Sequence, residues 1–212
     1  MRLLIICNEE KINRLWAKEL PFEGCIISFT QMPTTELMQA NDAAIDLSFE
    51  QMPGRIALYK TCGKPVLIAS VITTLHDLQV EDAPIARFNN WSSTNERTKL
   101  ELAANSSSIS TIEHLLKNWQ IDYEITADAP GFVSARIIAM IINEAYLALG
   151  EEVSTITEID TAMKLGTNYP NGPFEWCDLI GAANVSALLE KLSQQNTRYT
   201  PAPLLKQKIH EQ

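Results

Sequence analysis

The first third of the chain sets short, unbroken aliphatic runs between longer segments of mixed polarity. Arg2 to Cys7, Cys25 to Phe29, Ala43 to Phe49 and Pro65 to Ser70 have the length and continuity of strands buried on both faces, as in a parallel sheet. Between the first two runs, Glu9 to Leu20 carries Ile12, Leu15 and Trp16 on one side and reads as a helix. Arg55 to Cys62 reads as another, stopped by the turn Gly63, Lys64, Pro65. Strand and helix in alternation predict an α/β unit with a parallel sheet. A brief polar run, Asn105 to Ser108, leads into a further helix from Thr111 to Trp119.

From Asp128 onward the pattern changes to helices alone. Asp128 and Pro130 read as a helix start and Gly150 as its stop. Phe132, Ile138, Ile142 and Leu149 are among apolar residues that cover almost its whole circumference, which predicts burial in a bundle or against another subunit. Thr155 and Glu158 have the spacing of a capping box, opening a helix that closes at Gly166. In NYPNGPFEWCDLIG, Gly172 and Pro173 make the turn that opens the next helix, with Phe174, Trp176, Leu179 and Ile180 at near-helical spacing. Val185 to Leu192 is a last amphipathic segment. The expected organisation is an α/β domain over residues 1–127 and an all-α domain over 128–212.

Composition narrows the function classes. With 212 residues, 46% of them hydrophobic and 20% charged, the chain has enough apolar material for a real core. A net charge of -9 argues against a nucleic-acid partner, which needs a basic face. Lys60, Lys64, Arg87, Arg97 and Lys99 are scattered cations, read either as solvated surface charge or as a hold for one small phosphorylated ligand. Cys7, Cys25, Cys62 and Cys177 lack the paired spacing of a zinc or dithiol site, so no metal is expected. The opening apolar run is too short for a secretory signal, and Asn143 and Glu144 interrupt the stretch Ile137 to Leu149, so a cytoplasmic protein without a membrane span is expected.

The blocks Asp128-Ala-Pro-Gly-Phe-Val133, Asn143-Glu-Ala145, Ile159-Asp-Thr-Ala-Met163, Gly166 and Asn168 to Gly181, closing on Arg198, Tyr199, Pro201, Pro203 and Leu204, carry a resemblance. In order and spacing they resemble the C-terminal domain of 3-hydroxyacyl-CoA dehydrogenases, from about Asp128 to Pro203. The resemblance implies a shortened Rossmann-like domain followed by that helical domain, a place in acyl-CoA and fatty-acid metabolism, an acyl-CoA ligand, and a homodimer formed through the helices. In the family a serine-rich turn, a His held by a Glu, and an Asn surround the substrate hydroxyl, and hydride leaves for NAD. Carried onto this chain, the serine-rich turn falls on Ser70, Val71, Ile72, Thr73, Thr74 and Leu75, so Ser70, Thr73 and Thr74 are expected to keep hydroxyls in the cleft, while Val71 stands where the family has Asn. The block Arg87-Phe-Asn-Asn-Trp91 puts Arg87 at the catalytic His position, and Arg stays protonated near neutral pH. Glu101 matches the carboxylate partner, and an Arg87–Glu101 ion pair is the expected substitute for the lost dyad. The family's later Asn is Ala135, followed by Arg136.

The cofactor signals are also missing. A dinucleotide needs glycines at the first strand-to-helix turn, yet Cys7, Asn8, Glu9, Glu10 and Lys11 stand there, with two carboxylates where a diphosphate would sit. Phe29, Thr30 and Gln31 end the second strand, where an acidic residue would hold the ribose. NAD in the usual mode is not expected, and it returns as a cofactor only if the family activity is retained. His76 is the histidine nearest the expected cleft and reads as a surface residue or as a relocated base, whereas His114 and His210 sit on no motif. Three readings follow. The leading one is a divergent family member that has lost or weakened its chemistry and keeps acyl-CoA binding or dimer formation. The others are a working dehydrogenase built on Ser70, Thr73, His76 and Glu101, and a structural module without a small ligand.

Overall fold

The computed structural model describes residues 1–7, 24–91 and 99–210. The chain divides into two compact units, Met1–Asn90 with Thr98–Ala129 and Trp91–Arg97 with Pro130–Gln212.

The first unit is built on seven strands: β1 (Arg2–Ile6), β2 (Ile26–Thr30), β3 (Ala43–Asp46), β4 (Val66–Ala69), β5 (Ile85–Phe88), β6 (Leu100–Ala104) and β7 (Tyr123–Ile125). Their order is β2-β1-β3-β4-β5-β6-β7. Neighbours are parallel except β5 and β6, which run antiparallel. Alternating residues feed two cores, as the unbroken aliphatic runs require. Leu3, Ile5, Ile45, Leu67 and Phe88 pack on one side with Ile112, Leu116 and Trp119 at helix α3 (Ile109–Asn118). Leu4, Ile6, Ala44 and Ile68 pack on the other with Met38 of α1 (Thr35–Ala40) and Tyr59 of α2 (Ile56–Cys62). The doubly wound order 3-2-1-4-5-6 of dinucleotide folds has an outer strand beyond the second. Here β2 is the edge, and α1 leads straight back across β1 to β3. That places the shortening expected from the sequence.

In this unit three strands and one helix were not anticipated. β5 and β6 carry Arg87 and Glu101 inside otherwise apolar stretches, which hid their strand character, and β7 has only three residues. α1 is six residues long with one buried side chain, Met38, too short to show a periodic stripe. The third strand also ends at Asp46 rather than Phe49. The Asp46 carboxylate accepts from the Ser48 amide at 2.9 Å, a local turn that ends the extended backbone and leads into a 3-10 turn at Phe49–Gln51. The helix expected over Glu9 to Leu20 lies outside the described residues.

The second unit is helical: α4 (Ser134–Gly150), α5 (Ile156–Thr167), α6 (Pro173–Ile180), α7 (Ala182–Ser193) and α8 (Pro203–Ile209). The capping box at Thr155 and Glu158 is present. α4 begins at Ser134, later than Asp128 and Pro130 suggested, because Asp128 serves another purpose described below. It is not buried all round either. Val133 just before it and Ile137 within it are more than half exposed, at 55% and 53%, while Ile138, Ile142 and Tyr146 face the core. Buried Asp160 of α5 accepts from the Phe174 amide at 2.8 Å and so caps the first turn of α6. Among the described residues no helix is long and apolar enough to cross a membrane. None of the four cysteines is in a disulfide.

Candidate functional site

β4 delivers the chain at Ala69 into the turn Ser70–Thr74, and the turn is held by carboxylates rather than by a ligand. Glu50 accepts from the amides of Val71 at 2.7 Å, Ile72 at 2.8 Å and Thr73 at 3.2 Å. Three amides converging on one anion form the kind of cradle that elsewhere holds phosphate. The hydroxyls turn inward as well. Ser70 Oγ donates to the Thr73 carbonyl at 2.7 Å, and Thr74 Oγ1 accepts from the Asp77 amide at 3.0 Å. Thr73 Oγ1 alone of the three has no hydrogen bond among the described residues. The expectation that all three hydroxyls stay open is therefore corrected: Ser70 and Thr74 are consumed by the turn itself, and Val71 is fully buried as an apolar side chain.

Arg87, on β5 beside this turn, is fully buried. Its Nε donates to Asp128 Oδ1 at 2.5 Å, Nη1 to the Ser70 carbonyl at 3.1 Å, and Nη2 to the Ala129 carbonyl at 2.7 Å. Asp128 also accepts from the amides of Leu75 at 3.1 Å and His76 at 3.0 Å. Burial pulls the Arg87 pKa below its usual value, and the Asp128 bond and charge oppose that pull. A cation this buried is stable only with its donors met, and the planar fork meets them across three segments. The expected Arg87–Glu101 ion pair is thus corrected to Arg87–Asp128. Pairing of β5 with β6 sets Asn89 against Glu101, and Asn89 Nδ2 donates to Glu101 Oε2 at 2.7 Å. Ser70, Thr73 and Arg87 therefore meet in one place, Glu101 sits with Asn89, and Ala135 is buried in the helical unit with no polar group to offer. Asp128 was missed as a partner because 41 residues separate it from Arg87 and its position reads as a helix start.

His76 is exposed and lines an open depression of about 630 Å³ with Lys60, Gln79, Glu81 and Asp82. Its backbone amide, not its ring, is tied to Asp128.

Ligands of open α/β sheets lie beyond the carboxyl ends of the strands where the order reverses, here at β1 and β3. At that end of β3, Asp46 is fully buried and takes hydrogen bonds from Tyr59 Oη at 2.7 Å, Ser48 Oγ at 3.1 Å and Arg55 Nη1 at 3.1 Å. Burial beside this carboxylate pushes the Tyr59 pKa up. Arg55 Nη2 reaches the Gln31 carbonyl after β2 at 2.6 Å. Among the described residues, the donors that face this crevice are already engaged: Arg55 by Asp46 and Gln31, the amides of Val71 to Thr73 by Glu50. Of the hydroxyls in the turn, Thr73 Oγ1 is the one these bonds leave open among the described residues. The turn at Asn8, Glu9 and Glu10, on which the sequence argument rests, lies outside the described residues.

Residues 131–212 match the family model described as 3-hydroxyacyl-CoA dehydrogenase, C-terminal domain. Over 84 residues the chain is 46% identical to the 3-hydroxyadipyl-CoA dehydrogenase of Escherichia coli, a match covering 39% of this chain and 18% of that protein. Over 83 residues it is 39% identical to a 3-hydroxybutyryl-CoA dehydrogenase of Bradyrhizobium diazoefficiens, covering 38% of this chain and 28% of that one. These matches span less than a third of the relatives' length. Among solved structures, the (S)-3-hydroxybutyryl-CoA dehydrogenase of Ralstonia eutropha superposes with a TM-score of 0.73 at 24% identity, over 87% of this chain and 70% of that one. At that identity the likeness is one of fold.

Proposed function

From a chain whose residues 131–212 belong to the 3-hydroxyacyl-CoA dehydrogenase C-terminal domain family, we propose an acyl-CoA-binding protein whose NAD-dependent dehydrogenase chemistry is lost or much weakened. One observation carries the reading: the position that the resemblance assigns to the proton-accepting His holds Arg87, buried and bound to Asp128. A guanidinium with its donors committed to Asp128, Ser70 and Ala129 takes no proton from a substrate hydroxyl. The engaged crevice at β1 and β3 supports the same reading from the cofactor side. Thermal shift tests it with acetoacetyl-CoA and NADH separately, because a ligand that binds the native state raises its melting temperature. A shift with acetoacetyl-CoA and none with NADH is expected. A shift with both, accompanied by NADH oxidation, supports a working enzyme and points to Thr73 and His76. No shift with either leaves a structural module.

We also propose that two copies associate through the helical unit. Val133, Ile137 and Leu147 form an exposed apolar stripe along α4, and Ile156 and Leu165 are exposed on α5, Leu165 at 82%. Stripes of this kind are self-complementary across a two-fold axis. Light scattering at micromolar concentration is expected to give the mass of a dimer, and Ile137→Asp the mass of a monomer with unchanged circular dichroism. A monomeric native chain refutes the association.

A further inference from the structure

Arg136 and Arg198 belong to segments that the fold brings together on one phenol. Arg136 lies on α4 and Arg198 in the 3-10 turn Thr197–Tyr199. The Arg198 guanidinium carbon is 4.5 Å from the centroid of the Tyr199 ring, and its Nη2 donates to the phenol oxygen. The Arg136 guanidinium carbon is 5.9 Å from the same centroid. Tyr199 is 6% exposed, Arg136 is half-buried and Arg198 is open to solvent.

The pair lacks a counter-charge among the described residues, as do Arg2, Lys60, Lys64 and Lys117, but here two such cations lie against one buried ring. In this chain of net charge -9, Arg55, Arg87, Lys99, Lys164, Lys206 and Lys208 each meet a carboxylate. Arg136 and Arg198 meet none among the described residues. Arg136 spends Nη2 on the Pro130 carbonyl at 2.9 Å, and its Nε is buried without an acceptor. Two like charges facing one ring repel each other, and among the described residues no carboxylate offsets that repulsion. Both hold the Tyr199 pKa below its usual value, the Arg198 hydrogen bond most of all, so the field at the phenol is positive. Guanidinium forks match phosphate oxygens, and the phenol adds an O–H donor at the same point.

We propose that Arg136, Arg198 and Tyr199 form a binding site for a phosphate group on the helical unit. The group comes either as free phosphate or as a phosphate of CoA, and only the second source rests on the acyl-CoA reading above. Titration calorimetry at constant ionic strength, with inorganic phosphate, CoA and 3′-dephospho-CoA, is run on the native chain and on Arg198→Gln, an exposed position whose replacement leaves the core intact. Inorganic phosphate is expected to bind the native chain and to bind Arg198→Gln about tenfold more weakly, as for loss of one charged hydrogen bond. The phenol supplies a second readout. Bound phosphate offsets the two arginines, so the ultraviolet titration of Tyr199, identified by its absence in Tyr199→Phe, moves to higher pH. Loss of CoA affinity in Arg198→Gln with dephospho-CoA unaffected identifies the CoA 3′-phosphate as the source, and indifference of both identifies free phosphate. Equal phosphate binding by native and variant chains, no binding at all, or an unmoved Tyr199 titration overturns the site. An acetoacetyl-CoA thermal shift that survives in Arg198→Gln leaves the acyl-CoA reading standing when this site fails.

Discussion

Replacing Arg87 by Met is expected to lower the unfolding free energy by about 3–5 kcal/mol, as when one partner of a buried ion pair is removed. The substitution strands Asp128, which keeps only the amides of Leu75 and His76, and it leaves the carbonyls of Ser70 and Ala129 without a donor. Urea denaturation measures it, with an unchanged slope showing that the same fold is being unfolded. The double variant Arg87→Met with Asp128→Asn is expected to recover part of the loss, because the uncompensated charge has gone, and the interaction energy of the cycle isolates the pair. A loss below about 1 kcal/mol for the single variant would mean that the pair is not what holds the turn after β4 to β5. Function gives a second, independent result. Arg87→His restores the residue type that the resemblance assigns to this position, yet on the proposed loss of the nucleotide site no oxidation of NADH with acetoacetyl-CoA is expected, because a base alone then has no reaction to assist. Turnover appearing in Arg87→His alone would show that the nucleotide crevice is usable and that the committed donors around Arg55 and Glu50 rearrange.

The second large effect is expected at Gly172. A Cβ there would lie 2.3 Å from the Asp160 carboxyl carbon and 2.5 Å from its Cβ, distances at which one side must move. Asp160 is buried and bonded to the Phe174 amide, so moving it gives up the cap of α6. Overpacking of about 1–3 kcal/mol and cap loss of about 0.5–2 kcal/mol are the two contributions. Each kcal/mol is about 2–4 °C of melting temperature for a chain of this size, so Gly172→Ala is expected to melt several degrees early in scanning calorimetry. Asp160→Gly removes the obstacle, Cβ included, along with the cap. Adding Gly172→Ala to that variant is therefore expected to cost little further, and strict additivity of the two changes would refute the steric account.

The sequence determined the fold class and much of the helical unit. Unbroken aliphatic runs announce a parallel sheet by themselves, so β1, β2 and β4 were legible to within a residue or so, although edge strand β2 leaves Ile26 and Phe29 exposed where burial on both faces was expected. The capping box at Thr155 and Glu158 and the Gly172-Pro173 start are local devices, set by residues three or four apart, and local devices are readable in order. Arg87, Ser70, Thr73, Glu101 and Ala135 were picked out by resemblance, but what each side chain does was not. That Arg87 binds Asp128 and not Glu101 follows from the register of β5 against β6, which spends Glu101 on Asn89, and from a chain segment that returns Asp128 beside β5 from 41 residues away. Arg136, a lone charge on a helix, and Arg198, a lone charge in a tail, likewise became a pair only when packing set both against the Tyr199 ring. Periodicity and capping act over one or two turns of chain, whereas the partner of a buried charge is chosen by which distant segment packing brings within hydrogen-bond reach, and only the tertiary structure decides that.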